Sequence, residues 1–159
     1  MGMVFRAQRL LLVLITLLFA GCAGMTGSER PAMLGPASLR INPTFTRPAD
    51  GAVQADVELI DAFGDPTKGA GTLTLALFEY DADGAAVKGD AAGEPRQYDL
   101  ATDAGQRRHW QAVVRTYRAS YPLGNLDASR PYVLQATFTP TRPDSPRLFD
   151  ELVLRPRAE

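Results

Sequence analysis

The sequence predicts an all-β protein: an antiparallel β-sandwich of about seven or eight strands with one short helix, preceded by a signal helix and a flexible tether. Three observations carry that expectation. Apolar residues alternate with polar ones in several separate runs, the period of a half-buried strand. Turn formers divide the runs at fairly regular intervals, as in sandwiches and barrels. The chain also holds 14 Gly and 12 Pro, which favour short strands and turns over helices.

The first element is not part of that fold. Arg6 and Arg9 form a positive n-region, and Leu10 to Ala20 form an apolar h-region. The apolar run falls short of the roughly 20 residues a bilayer-spanning helix needs. Small residues follow at once, as a processing site requires. The alternative is an ordinary secretory signal cut near Ala23, which would discard Cys22. Cys22 is the only cysteine in the chain, so it has no internal disulfide partner, and acylation accounts for it.

The tail Phe19-Ala20-Gly21-Cys22 resembles the lipobox of bacterial lipoproteins, with phenylalanine where leucine is commonest. The resemblance implies cleavage between Gly21 and Cys22. Cys22 becomes the new N-terminus and carries a thioether-linked diacylglyceryl group. Two or three acyl chains, at about 0.8 kcal/mol per buried methylene, hold a protein on a membrane durably. Ala23 follows where the usual retention residue, aspartate, is absent. In a cell with two membranes the resemblance therefore implies the periplasmic side of the outer membrane. The expected organisation is a signal over 1–21, a lipidated N-terminus and tether over 22–36, and a sandwich domain over 37–156.

The tether AGMTGSERPAMLGP has no apolar period. A flexible chain of that length spans on the order of 20 Å. Removing the signal takes two of the 17 basic residues and leaves 15 against 18 acidic ones. No basic stripe with interleaved aromatics appears, so nucleic acid is not an expected partner. The remaining length suits one domain with a real core.

The strands follow in order. Leu39, Ile41, Pro43 and Phe45 alternate with Arg40, Asn42 and Thr44, and Pro43, lacking an N–H, marks an edge strand. Val53, Ala55, Val57 and Leu59 alternate with Gln54, Asp56 and Glu58, leaving one wet face. Leu73, Leu75 and Leu77 line the next strand, which ends in Phe78 and Tyr80. Short strands are expected near Arg96 to Leu100 and, after the helix, from Val114 to Leu123. Tyr132 to Phe138 alternates cleanly, and Leu148 to Leu154 is mixed. The helix is expected from Asp103 to Val113. Asp103 and Gln106 suggest a capping box, and Trp110, Val113, Val114 and Tyr117 have helical spacing.

Two loops share the pattern D-A-x-G-x-x-x-K-G, at Asp61 to Gly69 and at Asp81 to Gly89, and they hold the chain's two lysines, Lys68 and Lys88. Turn chemistry accounts for the Asp and Gly, and a lysine beside a strand guards an exposed edge. The first copy, with Val57-Glu58-Leu59-Ile60-Asp61, Gly64, Pro66 and Gly71-Thr72-Leu73, resembles bacterial immunoglobulin-like and carboxypeptidase-regulatory-like (transthyretin-like) domains. That resemblance covers about 20 residues. It implies an extracytoplasmic, non-catalytic spacer or binding module. The whole chain is similar to bacterial lipoproteins that carry one small β-sandwich.

The residues offer few chemical constellations. Asp61, Asp65, Asp81 and Asp83 would make a calcium site if the two loops were neighbours, since calcium takes six to eight oxygens. His109 is the only histidine, so zinc and His-based catalysis are not expected. Asp150 and Glu151 are neighbours in a strand and point to opposite faces, so they cannot flank one bond. No nucleophile elbow or phosphate loop is present. Tyr98, Trp110, Tyr117, Tyr121 and Tyr132 would offer a platform for a sugar or peptide, with Trp110, Tyr117 and Tyr121 as its centre, unless their bodies are buried. The expectation is therefore a non-enzymatic, cofactor-free envelope module that meets a membrane through its lipid and a protein or glycan through its surface. The alternative is a calcium- or carbohydrate-binding envelope domain.

Overall fold

A computed structural model describes residues 35–49, 51–83, 87–127 and 129–156. The expected signal, the Gly21–Cys22 junction and most of the tether lie outside these residues. The described residues form two antiparallel sheets and one short helix, the all-β sandwich that the period-two runs predict.

The first sheet is built on β3 (Ala52–Ile60). One edge of β3 is covered by β1 (Ser38–Ile41) and then β2 (Arg47–Ala49). These two are one edge strand broken at Asn42–Thr46. The expected single strand through Phe45 is thus interrupted. Residues Pro43 to Phe45 form a turn, because Pro43 cannot donate to the ladder. The gap in the ladder is filled by side chains and backbone together. Asn42 N–H donates to the Asp56 carbonyl at 2.8 Å, and Asp56 N–H donates to Thr46 Oγ1 at 3.1 Å. The other edge of β3 pairs with β4 (Pro66–Thr67) and β9 (Thr116–Pro122), and β9 pairs in turn with β8 (Trp110–Gln111).

The second sheet has the order β11 (Leu148–Leu154), β10 (Tyr132–Pro140), β5 (Gly71–Tyr80). The far edge of β5 is again covered by a broken strand, β6 (Lys88–Ala91) and β7 (Arg96–Asp99). Leu73, Leu75 and Leu77 of β5 and Leu134, Ala136 and Phe138 of β10 face Val53, Ala55, Val57 and Leu59 of β3 across a shared core. Gly71 has no room for a side chain. A Cβ there would lie 2.3 Å from the Thr139 carbonyl oxygen.

The helix α1 (Asp103–His109) is shorter than the spacing predicts. Its N-cap is Thr102, whose Oγ1 accepts from Gly105 N–H at 3.1 Å, so Asp103 is the first helical residue and not the cap. The helix stops at Trp110 because the chain enters a hairpin. Trp110 and Tyr117 are cross-strand partners on β8 and β9, with rings edge-to-face at 5.0 Å. Val113, expected on the buried face of a helix, sits in the turn of that hairpin and is 98 % exposed.

Side chains close the two seams between the sheets. On one side the Asp150 carboxylate of β11 accepts from Ile41 N–H of β1 at 2.8 Å. That bond occupies an edge-strand donor that would otherwise invite another chain. On the other side Tyr98 Oη of β7 donates to the Ser120 carbonyl of β9.

Candidate functional site

The wet face expected of β3 is dry at its centre. Asp56 is 0 % exposed although it points away from the shared core. Its carboxylate accepts from Thr116 Oγ1 at 2.8 Å and from the Arg118 guanidinium at 3.2 Å. Glu58, two residues on along the same face, accepts from Arg40 and, at 2.7 Å, from Asn42 Nδ2. Each buried carboxylate thus has a cross-strand arginine and a neutral donor, which is what burial of a charge demands. The arrangement knits β1, β3 and β9 together, and both carboxylates are fully engaged in it.

The end of the sandwich near α1 is plugged by a second network. Tyr117 Oη donates to Gln106 Oε1 at 2.7 Å and accepts from Gly69 N–H at 3.1 Å. Gln106 Nε2 donates to the carbonyls of Gly69 and Leu100, at 2.8 and 2.6 Å. Gln106 therefore ties the helix to the strand ends; it does not form the capping box expected of it. Burial raises the Tyr117 pKa above the usual value, against the lowering effect of its bonds to Gly69 and Gln106.

The candidate binding-face aromatics divide. Tyr117 is 0 % and Tyr121 2 % exposed, so their rings are core, and neither offers a free face on which a sugar could stack. Trp110 is half-buried. Lys68 Nζ lies 5.0 Å from the Trp110 ring centroid, and Tyr117 packs against that ring's edge or face at the distance already given. Tyr132 is buried. The Tyr98 ring meets His109 edge-on at 5.1 Å. His109 Nδ1 donates to the Arg118 carbonyl at 2.9 Å, which gives the ring a positioning job and fixes a proton on Nδ1.

The four aspartates of the calcium alternative do not gather. Asp61 and Asp65 lie where β3 ends, and Asp81 and Asp83 lie beyond the far end of β5. The ten residues of β5 separate the two loops by about 30 Å. Locally, each loop uses its first aspartate as a turn former. Asp61 Oδ1 accepts from the N–H groups of Phe63 and Asp65, and Asp81 Oδ1 accepts from Asp83 N–H. Gly64 supplies the positive φ, +90°, that the first loop needs. Among the described residues no group of three or more His, Cys, Asp or Glu side chains is placed to hold a metal ion.

Both lysines of the paired loops lie over aromatic rings. Lys68 caps Trp110, and Lys88 Nζ lies 4.7 Å from the Phe78 centroid and 2.5 Å from Glu151 Oε1. Lys88 does stand on the edge strand β6, but its ammonium is folded back across the outer face of the second sheet. Glu151 also accepts from Gln135 Nε2 at 2.7 Å. Asp150 turns the other way, to Ile41, so the two neighbouring acids serve opposite faces.

A concavity among the described residues was not visible in any motif. Below the Asp150–Ile41 bond the seam between β2 and β11 opens into a groove of about 870 Å³. The turn before β2 supplies Pro43, Thr44 and Thr46, and the end of β11 supplies Leu152, Val153 and Leu154. Arg47 and Arg155 flank it. β11 ends its sheet, and β10 is its only strand partner among the described residues. The groove therefore runs beside an open strand edge. Comparison with protein-family models and with curated proteins finds no match to the chain.

Proposed function

We propose that this chain is a lipid-anchored, non-catalytic envelope protein that receives an extended segment of a partner protein in the groove beside β11. The observation that carries the reading is the open edge of β11 bordering that groove. An unpaired strand edge supplies backbone donors and acceptors to an added strand, and pockets beside it select side chains. Arg47 and Arg155 suit a segment with acidic residues. The anchor is the Cys22 lipid implied by the lipobox resemblance, which makes the protein extracytoplasmic.

Two experiments test the two halves. Cys22→Ser should move the protein out of the membrane fraction; unchanged fractionation defeats the anchor. A photo-crosslinking residue at Thr44 should capture a discrete envelope protein in native cells, while the same residue at Arg108, on the other end of the fold, should not. Equal capture at both positions defeats the groove.

A further inference from the structure

We infer that the end of the sandwich carrying α1 is a bilayer-docking surface, with Phe63 and Val113 as its two apolar contacts on anionic lipid. The inference rests on the proposed lipid anchor. It begins with where the chain enters the fold. Ala37 N–H donates to the Ile60 carbonyl at 2.7 Å, and Pro36 packs against Gly69. The tether therefore arrives at the end where β3 finishes and β4 begins. Fourteen residues lie between Cys22 and Ala37, and even fully extended they reach no more than about 55 Å. A lipid at Cys22 therefore puts the point of attachment to the membrane at this end.

Of the apolar side chains that the fold leaves in water toward this end, Phe149 stands on the outer face of β11, and two stand on loop tips. Phe63 tips the β3–β4 loop and is 70 % exposed, and Val113 tips the β8–β9 hairpin. The two loops are tied to each other. The Arg115 guanidinium donates to the Pro66 carbonyl at 2.6 Å, so the tips are held as one surface. Arg115 itself has φ +56°, a left-handed conformation uncommon for a side-chain-bearing residue. The turn thereby points Val113 outward, where folding gains nothing from it.

Charge favours an anionic surface. The loops and helix at this end carry Lys68, Arg107, Arg108, Arg115, Arg142 and Arg147 against Asp61, Asp65, Asp103 and Asp144. The Asp61 carboxylate is turned onto its own backbone, as described above. At the opposite end the β5–β6 and β9–β10 loops carry Asp81, Asp83 and Asp127 against Arg130, with Arg47 and Arg155 beside the groove, so that end has no excess of basic residues. Basic residues around exposed apolar tips are the pattern that holds a protein at the headgroup level, each cation adding attraction within a Debye length.

The test uses the full lipidated chain in vesicles of phosphatidylethanolamine and phosphatidylglycerol. With Cys22 acylated, a cysteine introduced by Phe63→Cys, Val113→Cys or, as control, Val87→Cys at the far end of β5 is the sole free thiol. Each is labelled with a polarity-sensitive fluorophore. The expected result is a blue shift and several-fold stronger quenching by brominated lipid at 63 and 113 than at 87. Vesicle-bound protein whose labels at 63 and 113 are as open to aqueous iodide as the label at 87 overturns the docking surface and leaves the anchor standing. Labels shielded from both quenchers overturn it in favour of a protein contact. Protein in the soluble fraction, with Cys22 itself labelled, overturns the anchor and this inference with it.

Discussion

Tyr117→Phe isolates the network that plugs the helix end of the sandwich. The ring stays, so its packing against Trp110 and the core is preserved; only the hydroxyl goes. Two hydrogen bonds go with it, one accepted from Gly69 N–H and one donated to Gln106 Oε1. The Gly69 amide is left buried without an acceptor, and orphaning a buried donor costs about 1–3 kcal/mol. With the lost bond to Gln106, the expected destabilisation is about 2 kcal/mol. For a domain of this size that is a fall in Tm of roughly 8 °C. Trp110 is the only tryptophan in the chain and packs on the substituted residue, so its fluorescence follows unfolding at the site itself.

The same variant has a pH signature. Burial is the main cause that raises the folded pKa of Tyr117 above its ordinary value of 10. The folded state therefore holds its proton more tightly than the unfolded chain. That contribution is complete below pH 10 and is lost as pH rises from 10 through the folded pKa. Tyr98 and Tyr121, also raised chiefly by burial, add to this alkaline limb. Tyr117→Phe should be less stable at pH 7 yet lose stability more slowly above pH 10. A Tm within a degree of the parent, or an alkaline limb of unchanged steepness, refutes the account of the network.

Three further substitutions probe the fold. Gly71→Ala should cost about 3 kcal/mol or prevent folding, because the new Cβ meets the Thr139 carbonyl at 2.3 Å and the Phe138 ring at 2.7 Å; chemical denaturation measures it. Asp150→Ala should cost about 1 kcal/mol and speed hydrogen exchange at the Ile41 amide specifically, while Asp150→Asn, which keeps an acceptor oxygen, should protect that amide. Arg118→Met should cost about 1–3 kcal/mol, less than a fully buried pair because the Arg118 side chain is 42 % exposed. Pairing it with Asp56→Asn should recover part of that loss in a double-mutant cycle.

The long strands were legible because each buries one face and alternates without interruption. β3, β5 and β10 each carry three or four core residues at period two, and no local chemistry competes with that pattern. The short pieces β2, β4, β6 and β8 were not legible, since two to four residues hold too little period to read. The hairpin at Trp110 misled for a definite reason. On a hairpin with a four-residue turn, residues seven apart become cross-strand partners; on a helix they share a face. Trp110 and Tyr117 satisfy both geometries, and only the exposure of Val113 and the pairing of Gln111 with Thr116 separate them. The groove escaped for another reason. Its walls come from residues 43–48 and 152–156, a hundred positions apart, and neither wall has a chemical motif of its own. Asp56 illustrates the converse. Its place in the alternation says that it faces away from the core, but alternation carries no information on whether an arginine from β9 covers it.

The two proposals also fix an orientation that neither states alone. The tether enters where β3 ends, beside Phe63. The groove lies where β3 begins, lined by Thr46, Arg47 and Leu154, and Arg47 pairs with Gln54 at the start of that strand. β3 is nine residues long, so the two features stand about 30 Å apart along the strand direction. A chain seated on its α1 end would hold the groove away from the bilayer. A chain hanging free on its tether would present the groove at every angle. The seated arrangement confines the groove to one height above the membrane, which raises the effective concentration of the groove toward any partner fixed at that height. Phe63→Glu combined with Val113→Glu should therefore leave anchoring and fold intact and still reduce crosslinking from Thr44. Undiminished capture by that variant would mean that docking and partner binding are independent.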